Sequence, residues 1–311
     1  MLKYKADRRT LGFIATYFGL VALAWNTSMT WWADGLMFLT ICSFSWFCAV
    51  ITHNTIHCPI FKSRSANRWM QVVLTQTYGH PVSTFVPGHN LSHHRFTQKA
   101  QDVMRTSKVR YRWNLLNLIL FFPRVVPAIV RGENLFIKTM RTRKPRWFRQ
   151  WVVELSLLIA VMVILVWIDW VKFLKYWYLP HVWASLGIVT INLFQHDGCD
   201  GDSEYNHSRN FTSKLFGWFT FNNGYHTIHH MKPTLHWSLC PAEHERLVAP
   251  HMHPNLAQPS IAKYMWRAYV WPGFRENFDG SPQEIPAPIP DQNWVPGQPG
   301  VQVEFSYGAE V

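Results

Sequence analysis

Paired cysteines are missing from this 311-residue sequence. Its five cysteines include no CxxC pair, so a zinc ribbon or an iron–sulfur cluster has no support. Their spacing suggests no disulfide scaffold either, which is consistent with a reducing compartment. The chain also lacks a GxGxxG flavin-binding motif and a haem signature of the cytochrome b5 type. Any electrons that its chemistry requires must therefore come from another protein.

Acidic residues are scarce, since Asp and Glu total 18 against 30 Lys and Arg. The imbalance is greatest between His53 and Gln150, where seventeen basic residues accompany only Asp102 and Glu133. Both nucleic-acid binding and a cytosolic loop of a membrane protein can explain such a surplus. The long apolar segments of the chain favour the membrane protein, and we expect no nucleic-acid partner.

Hydrophobic residues make up 48% of the sequence and gather in long segments. A bilayer core requires roughly twenty apolar residues per helix. We predict four transmembrane helices, at about 11–27, 32–52, 151–168 and 176–194. Short connections of low charge join them as two hairpins. Because Lys and Arg accumulate in cytosolic loops, we expect the loop between the hairpins and both termini to be cytoplasmic.

The expected fold is an all-α integral membrane protein, with four transmembrane helices in two hairpins and a cytosolic helical cap. From Pro272 the sequence becomes rich in Pro and Gly and loses helical periodicity. We therefore divide the chain into a membrane domain, 1–271, and an extended or disordered cytosolic tail, 272–311. The cytosolic regions of the membrane domain are 53–150 and 195–271.

Two further apolar stretches lie inside the first cytosolic region, at Trp69–Pro87 and Trp113–Val130. They could be additional spans. Proline residues and closely flanking charges favour interfacial helices instead. Two more spans would also place two histidine-rich sequences, HNTIH (53–57) and HNLSHH (89–94), on opposite sides of the membrane.

Histidines cluster at helical spacing in HNTIH (53–57), HNLSHH (89–94) and HTIHH (226–230). Spacings of three and four place side chains on one face of a helix. A solvated helix face would explain HNTIH alone, but not three such clusters. Eight imidazoles exceed the needs of one metal ion, so the pattern predicts a polynuclear metal site. Iron, zinc, copper and nickel all suit imidazole, and two irons are the preferred interpretation.

The fourth apolar segment ends in Asn192-Leu-Phe-Gln-His196, which again places two polar side chains on one helix face. Polar pairs inside a membrane helix are costly and are usually functional. Helix capping is the alternative role of Asn192. His196 falls on the same side of the membrane as the three clusters, so it is a candidate ligand.

The three histidine clusters, called the first, second and third histidine boxes below, resemble those of the membrane fatty acid desaturases in their spacing and in their placement around two hairpins. The third box, NNGYHTIHHMKP, is similar to the NxGYHxxHHxxP box of acyl-lipid and sphingolipid desaturases. The Asn-x-x-x-His pattern resembles the acyl-CoA desaturase branch. The resemblance implies a di-iron centre with these ligands: His53, His57, His89, His93, His94, His196, His226, His229 and His230, and Asn192 directly or through a water.

The resemblance further implies an oxygen-dependent desaturase that introduces a C=C bond into a fatty acyl chain of a lipid. Its cofactors would be two iron ions, with O2 as co-substrate. Its partners would be the bilayer and a ferredoxin- or cytochrome b5-type electron carrier with its reductase. A carrier with an acidic surface would complement the basic cytosolic face.

Two other functions remain open at this level. A di-iron hydroxylase or ketolase begins with the same hydrogen abstraction, although HNTIH lacks the His-Glu start of alkane and xylene monooxygenases. A metal-ion transporter would place its ligands near the bilayer midplane, whereas these boxes follow the helix ends.

Carboxylates that orient the imidazoles are expected in the acidic run after the fourth segment, at Asp197, Asp200, Asp202 and Glu204.

Overall fold

The computed structural model describes residues 1–298 and 301 and is mostly helical. The first seven α-helices are α1 Asp7–Asn26, α2 Trp31–His57, α3 Arg64–Tyr78, α4 Val82–Val86, α5 Asn114–Arg143, α6 Pro145–Phe173 and α7 Leu179–His196. Four short ones follow: α8 Lys214–Phe219, α9 His226–Met231, α10 Cys240–Leu247 and α11 Ile261–Met265. Three π-helical segments are Pro87–His94, Leu174–Tyr178 and Trp266–Val270. The 3-10 turns are Thr106–Lys108, Trp237–Leu239 and Pro254–Leu256.

The described chain divides into two compact units. The first unit contains Met1–Val86 and Met140–Ile188, and the second contains Pro87–Thr139 and the described residues from Val189 onward. Helices α5 and α7 contribute residues to both units. The predicted division at Pro272 into a membrane domain and a tail stays a prediction.

In the first unit, α1 packs against α2, and α3 and α4 pack against α6. Glu154 of α6 is fully buried and accepts hydrogen bonds from the backbone N–H and the hydroxyl of Ser83, at 2.9 and 3.0 Å. Gln150 donates a third, at 2.9 Å. A buried carboxylate is costly unless it is hydrogen-bonded, and these donors fix α4 against α6.

At one end of the first unit, a hydrogen bond and an ion pair join the helices, and several tryptophans are exposed. Lys172 Nζ donates to the backbone carbonyl of Trp25, at 2.8 Å, and Lys175 forms an ion pair with Asp34. The connection after α1 and the chain following the break in α6 at Asp169 therefore lie at the same end. Four tryptophans nearby in sequence are largely exposed: Trp31, Trp32, Trp167 and Trp170. Exposed tryptophans at helix ends are typical of a membrane–water interface.

Among the described residues, three helical stretches are long and apolar enough to cross a membrane: Trp31–His57, Asn114–Arg143 and Pro145–His196. The second predicted span lies in the first of these, and the third and fourth both lie in the last, which has 52 residues. The first predicted span lies in α1, which is not among them. The arrangement of four spans in two hairpins thus stays a prediction.

Helix α5 includes the predicted interfacial stretch Trp113–Val130 almost entirely. It continues through Pro123 and Pro127, although proline usually kinks or ends a helix. Its length and composition also suit a membrane span, which is the alternative that the sequence left open.

The second unit contains the only strands of the described chain, β1 Asn210–Phe211 and β2 Ala257–Gln258. They are parallel, with Asn210 opposite Ala257. Ile228 of α9, Cys240 of α10 and Val248 form a small buried core beside them.

The predicted tail is extended over its described part, but it is attached to the second unit. Arg275, Trp294 and Val295 are all buried. Asp291 pairs with Arg105 and Lys108, each at 2.6 Å. The remainder of the tail, 299–300 and 302–311, lies outside the described residues.

Gly79 ends α3 in the left-handed conformation, with φ of 79°, and a Cβ there would lie 2.7 Å from His181 Nδ1. We predict that Gly79→Ala lowers the free energy of unfolding by at least about 1–2 kcal/mol, the usual cost of left-handed backbone. Gly12→Ala is the matched control, because no atom lies within 4 Å of a Cβ at that helical position. It should stabilise α1 by about 0.5–1 kcal/mol. Thermal unfolding in detergent measures both, and a Gly79→Ala protein as stable as the wild type contradicts this prediction.

Candidate metal centre

The second histidine box lies in the buried π-helix Pro87–His94. A π-helix forms hydrogen bonds between residues five apart, so both four- and five-residue spacings bring side chains close together. The ring centroids of His93 and His94 accordingly lie 5.6 and 4.5 Å from that of His89. From the sequence we expected an α-helix, whose faces follow spacings of three and four, so the π-helix is a difference from that expectation.

The third box begins at the start of α9, directly after a close backbone contact. The N–H of Phe211 in β1 donates to the carbonyl of Gly224, at 2.8 Å. A Cβ on Gly224 would lie 2.1 Å from the carbonyl oxygen of Phe211. Only glycine permits this approach, which fixes the chain two residues before His226. The contact gives a physical reason for the glycine in NNGYH.

Four histidines of the second unit form a compact donor group: His93, His196, His226 and His230. One nitrogen of each lies within 4.8 Å of the others. The Nε2 atom of His226 lies 2.9 Å from that of His196 and 3.1 Å from that of His230. Since imidazole nitrogen is a good ligand for iron, zinc, copper and nickel, this group could hold a metal ion.

A second donor group in the same unit contains His89, His94 and His229, whose ligand nitrogens also lie within 4.8 Å of one another. The Nε2 atoms of His89 and His94 are 2.9 Å apart. His53 and His57 belong to the first unit, where their ring centroids lie 5.4 Å apart near the end of α2. Their role as ligands stays a prediction.

The protonation of His93 fits a metal ligand. Its Nδ1 lies 3.0 Å from Asp102 Oδ2, so Nδ1 carries the proton that is donated to the carboxylate. The lone pair is then on Nε2, which is buried and has no hydrogen-bond partner. A buried polar atom without a partner costs roughly 1–3 kcal/mol. A metal ion bound at this nitrogen would remove that cost.

His196 is oriented in the same manner by a backbone group. Its Nδ1 donates to the carbonyl oxygen of His207, at 2.9 Å, which leaves the lone pair on Nε2. That atom faces the Nε2 of His226. The Nε2 of His226 also faces that of His230, so nitrogens of three rings converge. One cation among them could bind all three nitrogens, and a backbone or carboxylate acceptor behind a ring is the usual support of such ligands.

The electrostatics keep His230 in the neutral form that binds metals. Burial lowers the pKa of His230 well below its ordinary value, and the nearby His94, His226, His93 and His196 lower it further. Burial likewise lowers the pKa of His207. Neutral imidazole is the ligand form, since a proton would compete with the metal for the same lone pair.

The acceptor for His93 was not among the carboxylates expected from the sequence. Asp102 is fully buried and also accepts from the backbone N–H groups of Gln98 and Met104, at 2.9 and 2.8 Å. Its one sequence signal was its rarity, as one of two acids among seventeen basic residues. Of the acidic run, Asp197 instead pairs with Arg275, and the other three carboxylates are exposed: Asp200, Asp202 and Glu204.

Asn192 is buried, and its Nδ2 donates to the carbonyl of Met104, at 2.7 Å. This bond joins α7 to the loop that carries Asp102. Its role as a ligand stays a prediction. Outside the predicted ligand set, His207 has its ring centroid 5.4 Å from that of His230. His181 contacts Tyr17 in the first unit, where its Nε2 lies 2.9 Å from the hydroxyl.

We predict that Asp102→Asn weakens metal binding roughly 10–100-fold, the usual effect of removing a carboxylate behind a ligating histidine. The amide keeps the shape but no longer fixes the Nδ1–H form of His93 by charge. Competition with a chelator on purified protein measures the affinity. The control is Asp200→Asn, an exposed carboxylate that should leave affinity unchanged. Equal affinities in both variants would show that Asp102 has no such role.

A model of the fatty acid desaturase family matches residues 29–259. No curated protein matches the chain. The matched region covers more than half of the sequence and contains all three histidine boxes, together with Asn192 and His196. This chain therefore belongs to the fatty acid desaturase family.

Proposed function

We propose that this protein is an oxygen-dependent fatty acyl desaturase, in which the histidine groups bind two iron ions. The observation that carries the proposal is the convergence of buried imidazole nitrogens in two groups, within a chain of this family. Two groups suit two metal ions. The proposed ligands are His53, His57, His89, His93, His94, His196, His226, His229 and His230, with Asn192 bound directly or through a water.

Iron and O2 would supply the oxidising chemistry that removes hydrogen from an unactivated methylene, which no amino-acid side chain can perform. The chain orients the donors for it. Asp102 and the carbonyl of His207 hold the Nδ1 protons of His93 and His196, so both Nε2 lone pairs point into the group. Exposures of 0% and 1% for these two histidines keep bulk water away from the donors.

The donor set also bears on the type of centre. Within the described residues, neither histidine group includes an Asp or Glu. Soluble di-iron proteins use glutamates and Glu-x-x-His pairs as ligands. An all-nitrogen set supports the membrane type of di-iron centre that the boxes suggested.

Hydroxylation or ketolation of a lipid or hydrocarbon is the second candidate, because it requires the same ligands and the same first abstraction. We favour desaturation because the matched family is that of the desaturases and because HNTIH lacks glutamate. A metal-ion transporter is less well supported, since buried donors in closed groups suit tight binding better than passage.

We further propose a multi-pass protein whose two termini and metal centre face the cytoplasm. The apolar helices and the membrane-bound family support the membrane location. The basic loop between His53 and Gln150 supports the orientation, by the positive-inside rule.

Turnover should require an external electron carrier of the ferredoxin or cytochrome b5 type, with its reductase. The chain has no redox motif of its own. Arg110 and Arg112 are exposed in the second unit and would attract an acidic carrier.

Purified protein reconstituted with iron, carrier, reductase, O2 and a labelled acyl lipid should yield a product lighter by two hydrogens, as measured by mass spectrometry. His93→Ala should abolish that product, because it removes a donor nitrogen. His251→Ala, outside both histidine groups, is the control and should retain activity. A product heavier by one oxygen, without the lighter one, would assign the protein to the hydroxylases and leave the metal centre in place.

We predict that Arg112→Glu raises the KM for the carrier at low salt while kcat is unchanged. The substitution reverses one charge of the proposed docking face, the surface around Arg110 and Arg112. The difference from wild type should shrink as salt rises, since the Debye length is about 10 Å at 0.1 M. Lys263→Glu is the matched control, an exposed charge reversal on α11. Equal effects of the two variants, or a difference that salt does not reduce, would argue against this docking face.

A further inference from the structure

Arg275 places a buried guanidinium in the chain beyond the family match, which ends at residue 259. It is only 7% exposed, and its partner Asp197 is 3% exposed. Arg275 Nε lies 3.1 Å from both carboxylate oxygens of Asp197, and Nη2 of Arg275 donates to Oδ1 at 2.5 Å. This is the bidentate geometry that arginine forms and lysine cannot.

Asp197 directly follows His196, so this ion pair is attached to the end of α7. A second arginine, Arg209, donates to the backbone carbonyls of Phe194 and Asp197, at 3.0 and 3.1 Å. The last carbonyl groups of a helix have no partner within it. The two arginines thus fix the turn from which His196 projects.

The other side of the Arg275 guanidinium reaches the loop that supports His93. It donates to the carbonyl of Val109, at 3.0 Å, and to that of Thr106, at 3.5 Å. This loop begins at Asp102, the acceptor for His93. One side chain therefore links the segment after His196 to the loop behind His93.

The backbone around Arg275 fits closely against the same turn. The N–H of Phe278 donates to the carbonyl of Gly198, at 2.7 Å. A Cβ on Gly198 would lie 2.2 Å from the carbonyl oxygen of Glu276, and its φ of 72° also favours glycine. The sequence around residues 197–198 is thus shaped to receive the C-terminal segment.

We propose that Arg275 is a positioning residue of the metal centre, which sets His196 and His93 at their donor positions through Asp197 and the 102–109 loop. The functional unit then extends past the family match into a segment that resembles a loose tail by composition. The inference rests on the proposed metal centre.

A buried ion pair that serves stability alone is the competing explanation, and a double variant separates the two. Arg275→Met leaves the Asp197 charge buried without its partner, which is strongly destabilising. Combining it with Asp197→Leu removes both charges, and replacing a buried pair by apolar groups is often neutral or stabilising. The double variant should therefore regain thermal stability without regaining the links to His196 and His93.

The experiment uses the full chain in detergent, loaded anaerobically with ferrous iron, and measures both the Tm of the iron-free protein and iron loss to a chelator. We expect Arg275→Met to lower the Tm and to weaken iron retention. The double variant should recover the Tm and still retain iron about 10–100-fold more weakly than wild type, the range for groups that orient ligands. Arg267→Met, an exposed arginine that pairs with Glu276, is the matched control and should match wild type in iron retention.

Arg275→Lys keeps the charge, so it tests the same point if the double variant fails to fold. It should fold, and it should lose iron faster than wild type because it lacks the second arm of the contact. If the double variant or Arg275→Lys retains iron as well as the wild type does, the positioning role of Arg275 is overturned, while the proposed metal centre is not affected. A wild-type protein that binds no iron overturns the proposed centre, and this inference with it.

Discussion

The structure depends on one electrostatic constraint, the burial of several imidazole nitrogens within 4.8 Å of one another. The Nε2 atom of His226 lies 2.9 Å from that of His196 and 3.1 Å from that of His230. A neutral imidazole carries one proton on its two nitrogens, so not every nitrogen can donate a hydrogen bond. Burial lowers the pKa of His230, which disfavours the addition of a second proton to that ring. A cation that accepts several lone pairs resolves the conflict, which is why a metal centre explains the cluster better than a polar core does.

The rest of the second unit supports that cluster from behind. Asp102 and the carbonyl of His207 hold the outer nitrogens of two rings, and Gly224 lets β1 approach the third box. The π-helix replaces the more common α-helical geometry and brings together His89 and His94, which are five residues apart. Each feature fixes the direction of a candidate donor, so the unit holds the nitrogens in an arrangement that a bound cation would stabilise.

The sequence predicted the helical class and the histidines that come together, because their spacing is local and imidazole chemistry is specific. It did not predict Asp102, whose pairing with His93 arises from a turn within the loop. It also did not predict the attachment of Arg275, since Pro and Gly content says little about a buried contact far along the chain. Hydropathy alone was least decisive for α1, which carries charges in its first turn, and for α5, which is apolar despite two prolines.

Iron K-edge X-ray absorption on anaerobically loaded, purified protein, with metal analysis of the same sample, tests the central claim most directly. We expect two irons per chain, with a nitrogen-dominated first shell and the outer scattering pattern of imidazole. His196→Ala should remove part of that imidazole signal. A chain that holds one zinc and no iron, or an iron shell dominated by sulfur or by carboxylate oxygen, would contradict it.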